Sequence, residues 1–181
     1  MDFVDSIKKA LKILMLKGTA MKEVALGNFV GHAFLILVIT GLAGAVGQTL
    51  ISAIIGEFSL LTLLAFIYLP ILTILGSLIW AGIWHIIALI FGGQAKYMEL
   101  FKAVAFAQIV GWVAIVPFIG TVISSILSIW LIVVSVVIVK NVHKLSTGRA
   151  VLVVLLPIII IGVLALLGFL TFVAALFGAT A

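Results

Sequence analysis

The sequence predicts an all-α integral membrane protein of five transmembrane helices, preceded by a short amphipathic helix. Composition is the first reason. Of 181 residues, 66% are hydrophobic and 8% charged, with a mean hydropathy of +1.57, whereas soluble domains carry about 25% charged residues. The second reason is length, because the apolar runs match the ~20 residues needed to cross ~30 Å of hydrocarbon. The third is charge: one five-helix threading puts all ten lysines and arginines on the same side. Five lie from Lys8 to Lys22, two at Lys96 and Lys102, and three from Lys140 to Arg149, while the gaps around Glu57 and Pro117 and the tail after Phe177 have none. Lys/Arg bias in short loops sets orientation. The basic side and the amino terminus are therefore expected in the cytoplasm and the carboxyl terminus outside, in the plasma (cytoplasmic) membrane.

Residues 1–27 are read as an amphipathic cytoplasmic or interfacial helix and a linker, and residues 28–181 as the membrane domain. At ~100° per residue, Phe3, Val4, Ile7, Ala10, Leu11, Leu14 and Met15 share one face. Lys8, Lys9 and Lys12 flank that face, so the helix either lies in the membrane plane or packs on the protein's own loops. Gly18 and Thr19 are expected to end it. Span one is placed at 29–55. Pro70 has no N–H for the Phe66 carbonyl and crowds the preceding turn. Residues 58–68 are therefore set apart as a short interfacial or kinked helix, with span two at 70–91. Gly92-Gly93 stops that span. Span three is placed at 100–116 and span four at 121–139, joined by the apolar reversal at Pro117. Span five, at 149–177, is expected to kink near Val153 because of Pro157.

Several function classes drop out. The chain has no cysteine, which removes disulfides and thiolate metal sites. No acidic or basic residue falls in the middle of a span, whereas proton-coupled transport relies on such groups. No nucleophile–base arrangement, zinc-binding helix or phosphate loop is present, so catalytic residues, metal ligands and cofactors are not expected. Nucleic acid is not an expected partner either, because no soluble module offers it a basic face. The basic charge is read instead as topology and attraction to anionic lipid headgroups.

Three residue sets stand out. Gly41, Gly44 and Gly47 form a small-residue ridge in span one, suited to close helix packing within one protomer or in a homo-oligomer. His85, Gln108, Ser124 and Ser128 are possible polar lining for a small-solute or ion path, although serine in a lipid-buried helix commonly bonds its own backbone. Lys96, Tyr97, Lys140, Lys144 and Arg149 gather in the two basic loops as a surface for a protein partner or lipid headgroups.

Those loops also carry a resemblance. Gly92-Gly93-Gln94-Ala95-Lys96-Tyr97, running into Phe101, Ala105 and Pro117, and His143-Lys144-Leu145-Ser146-Thr147-Gly148-Arg149-Ala150 resemble the YIP family, membrane proteins named for interaction with Ypt/Rab small GTPases. The resemblance covers most of residues 29–175. It implies five spans with the amino end inside and a non-enzymatic scaffold or adaptor role in membrane organisation or trafficking. Eukaryotic members carry a longer amino-terminal region with an Asp-Leu-Tyr-Gly-Pro segment. The chain looks more like the compact prokaryotic members.

Overall fold

The computed structural model describes residues 2–178, with side chains through Ala175. The expected outer carboxyl terminus, residues 179–181, lies outside the described residues. Helix α1 is Phe3–Leu14 and begins on Asp2, whose side chain accepts the Val4 N–H. A second helix, α2, spans Gly18–Leu26 where a linker was expected. Gly18 starts it rather than ending α1: a Cβ there would sit 2.6 Å from Asn141 Oδ1, so the bare Cα lets the chain approach the fourth span without moving that side chain. Leu16, at φ +61°, makes the reversal between the two helices. Ala20, Met21, Val24 and Ala25 are buried along one side of α2. Lys9 pairs with Glu23 and lies over the Phe29 ring, tying α1 to α2 and to the next helix.

Among the described residues, five segments are long and apolar enough to cross a membrane, so the chain is an all-α integral membrane protein. Helix α3 (Val30–Ile54) is the first. Helix α4 (Leu60–Ile90) is the second and is continuous, so residues 58–68 and 70–91 do not form separate elements. A reciprocal capping pair, Ser59 with Thr62, starts the helix ten residues before Pro70. Gly41 of α3 presses its bare Cα against the Pro70 backbone; a Cβ at Gly41 would overlap Pro70 Cα and N. At ~1.5 Å per residue, α4 is about 46 Å long and so tilts or projects beyond a ~30 Å core.

The third span opens as α5 (Tyr97–Ala107) and continues as a 3-10 helix over Gln108–Ile115. The 3-10 rise of ~2.0 Å per residue stretches these 19 residues to about 32 Å, enough for the hydrocarbon thickness. Every residue from Leu100 to Ala107 is buried; this span is the axis of the bundle. The turn into α6 (Ile119–His143) passes through Phe118 at φ +56°, ψ −63°, with the Ile119 N–H donating to the Pro117 carbonyl at 2.6 Å. Helix α7 (Thr147–Gly178) runs through Pro157 as one helix.

The core sits at one end. It joins Ala10, Ile13, Met21 and Val24 of α1 and α2 to Ile36, Leu37, Phe101, Phe106, Ile138, Val142 and Val153 of the spans. The connections carrying the lysines and arginines lie at this end too, as contacts of Gly18 with Asn141 and of Lys102 with the Gly27 carbonyl show. At the other end every residue of α7 from Ile159 to Phe172 is exposed.

Candidate functional site at the basic end

The loop from α4 to α5 is built around His143, the last residue of α6, whose side chain is fully buried. Gly92, at φ +87°, turns the chain, and Gly93 follows because a Cβ there would come within 2.5 Å of the His143 ring. The Gln94 N–H donates to the His143 carbonyl at 3.3 Å, and the Ala95 N–H donates to His143 Nδ1 at 3.4 Å. An Nδ1 that accepts places the proton of neutral His143 on Nε2. That proton faces His85 Nδ1 at 3.4 Å, so the two rings form a directed pair. Tyr97 packs edge-on to His85 and donates its hydroxyl to the Leu78 carbonyl at 3.0 Å. Arg149 closes the far side, donating to the Phe91 carbonyl at 3.2 Å.

The five predicted surface residues divide accordingly. Lys96, Lys140, Lys144 and Arg149 are exposed, whereas Tyr97 is half-buried with its hydroxyl turned into the bundle. Lys96 caps α5, its N–H donating to Glu99 Oε2 at 3.2 Å. Lys144 ends α6 in the left-handed conformation, at φ +56°. Between α2, the α4–α5 loop and the end of α6 lies a recess of about 340 Å³, lined by Lys22, Gln94, Glu99, Asn141 and Lys144 among others. Lys102 was not singled out from the sequence as a functional residue. It is buried, and its ammonium donates to the Gly27 carbonyl, fixing the start of α3 against α5.

The possible polar lining is only partly brought together. Gln108 and Ser128 share a second cavity, of about 140 Å³ and half open at the surface of the bundle, with Trp80 and Trp84. His85 belongs to the loop cluster instead, and Ser124 is not on that cavity; its hydroxyl is buried without a hydrogen-bond partner among the described residues. Ser125 and Ser128 bond backbone carbonyls of their own helix, those of Thr121 and Ser125. Two of the three ridge glycines are occupied within the protomer, Gly41 by Pro70 and Gly47 by the Ala114 carbonyl, while Gly44 meets only Leu69 Cδ1 at 3.8 Å. From the sequence His143 is read only as the first residue of a motif and is given no structural role. The available signal was its place beside Lys144 at the head of the second basic loop.

Among the described residues, no group of three His, Cys, Asp or Glu side chains is placed to hold a metal. In comparison with known proteins, the model of one family, described as the Yip1 domain, matches residues 16–170. No curated protein and no solved structure matches the chain.

Proposed function

This chain belongs to the Yip1 domain family, and from that membership we propose a non-catalytic role as a membrane scaffold or adaptor linked to membrane organisation or trafficking. Its basic end faces the cytoplasm in this reading and engages anionic lipid headgroups and a protein partner. The observation that carries the proposal is the recess of about 340 Å³, where Lys22 and Lys144, from different elements, flank Gln94 and Asn141. Lysines at such a surface attract anionic lipid by about 1 kcal/mol each, and exposed Lys96, Lys140 and Arg149 extend the same field. Basic pockets between helices on this side suit anionic headgroups. Two lysines, Lys22 and Lys144, against the single carboxylate of Glu99 leave the recess net positive.

The test uses nanodiscs of phosphatidylcholine with a limiting amount of phosphatidylglycerol. Phosphatidylglycerol should be enriched among the lipids retained by the purified protein. Replacing Lys22 and Lys144 by glutamine, or raising the salt, should reduce that enrichment. Enrichment indifferent to both would reject the lipid-binding part of the proposal. A second reading, a small-solute or ion channel, draws on Gln108 and Ser128 sharing one cavity. Flux through sealed liposomes that disappears on Ser128→Leu and Gln108→Leu would replace the scaffold reading.

A further inference from the structure

The cavity of about 140 Å³ lies where α4, α5, the 3-10 segment, α6 and α7 meet. Its walls are mostly apolar: Trp80, Val104, Leu131, Ile132 and Ile158. Trp84 forms part of the same wall. It is 8% exposed, and its indole N–H has no acceptor among the described residues. Gln108 also lines the cavity, and its backbone carbonyl is already met by Thr40 Oγ1 at 3.1 Å. A donor buried at membrane depth cannot turn to water and must find an acceptor from the protein or from whatever occupies the site.

Size and depth narrow the occupant. One water needs roughly 10–15 Å³ of such space, so this volume would require a cluster, and Gln108, Ser128 and Ser135 on otherwise apolar walls would meet only part of that cluster's bonds. An empty cavity would forgo the contacts that dense packing supplies. Trp84 lies six residues before the end of α4, about 9 Å along the helix. That places it in the part of α4 nearest the basic end, the side on which a lipid's glycerol backbone would lie. Apolar walls with a few convergent polar groups characterise sites for small organic ligands.

We propose that this cavity is a binding site for one membrane glycerolipid, which lodges part of an acyl chain against Trp80, Leu131 and Ile158 and presents a backbone oxygen to the Trp84 N–H and the Gln108 amide. The site reads chain and backbone rather than headgroup charge. It therefore stands apart from the basic recess and can fail independently of it.

The experiment reconstitutes the full chain in nanodiscs of phosphatidylcholine containing a limiting amount of phosphatidylcholine with a diazirine on its acyl chain. Photolysis should concentrate label on the stretches around Trp80–Trp84 and Leu131–Ile132. Trp84→Phe keeps an aromatic ring and removes the donor; it should lower that labelling about tenfold, the worth of one hydrogen bond. Ala107→Leu, which fills the cavity from α5, should lower it comparably. Label on the exposed outer half of α7 reports bulk lipid and should stay unchanged in both variants. Circular dichroism melts check folding, and if Ala107→Leu fails that check, Trp84→Phe decides. Label spread evenly over the lipid-exposed surfaces, or cavity labelling unchanged by Trp84→Phe in folded protein, would overturn the proposal.

Discussion

Replacing Gly41 or Gly47 by alanine adds one methyl group to α3 at the two places where its backbone meets another backbone. At Gly41 the new Cβ would overlap Pro70, and at Gly47 the Ala114 carbonyl. No flexible side-chain end is available to yield at either point, so the helices must part. Overpacking of this kind costs about 1–3 kcal/mol. The gain in helix propensity from glycine to alanine, up to about 1 kcal/mol, offsets only part of it. Gly44 is the internal control: its nearest neighbour, Leu69 Cδ1, is 3.8 Å from the added Cβ, an ordinary contact distance. Alanine there should be neutral or slightly stabilising. For a chain of this size, 1 kcal/mol corresponds to about 2–4 °C in Tm on the scale of soluble domains. Melts in detergent should therefore show Gly41→Ala and Gly47→Ala lowered by several degrees and Gly44→Ala unchanged or raised. A Gly44→Ala variant as unstable as the other two, or a benign Gly41→Ala, would refute the packing argument. Crosslinking alongside the melts should show no change in oligomeric state, because Gly41 and Gly47 are already occupied within one protomer.

Single cysteines at Lys96 and Lys144 should be labelled only from the cytoplasm, and one at Glu57 only from outside; outside labelling at Lys96 would sink the orientation. In α1, Leu11 is 46% exposed and Ile13 fully buried, so Ile13→Asp should abolish folding. Leu11→Asp should leave the melt nearly unchanged and weaken lipid contact of α1, as read by quenching with brominated lipid of a probe at Met15. His143→Ala removes a buried ring that holds the α4–α5 loop and should cost about 2–4 kcal/mol. Proteolysis at Gln94–Lys96 should rise in step, and an intact loop after that substitution would contradict the ring's structural role.

The number of spans and the gathering of basic residues were legible because hydropathy and charge are summed residue by residue and need no knowledge of neighbours. Helix α2 was missed because Gly18 read as a stop, when its bareness serves a contact with Asn141, 123 positions away in the sequence. Pro70 misled as well. The local rule breaks a helix there, but α4 starts at the Ser59 cap ten residues earlier and runs on through the proline. The 3-10 stretch of span three leaves no mark in a hydropathy profile. His143 acquires its role only when the fold sets it against Gly93, Ala95 and His85. The glycine ridge was visible, and its occupants were not.

The contact of α1 with α6 bears on the order of assembly. The Leu14 carbonyl accepts from Trp130 Nε1, 116 residues later in the chain, and Met21 waits for Asn141. The α6 part of these contacts thus forms only after four spans have entered the bilayer. Closing so long a loop is slow. Until then, Ala10, Ile13, Met21 and Val24 are covered only in part, by the packing of α1 on α2 and on the earlier spans. Truncation or delayed insertion of α6 should therefore leave the amino-terminal hairpin unlocked and open to protease, while α3 and α4 are already paired through Gly41 and Pro70.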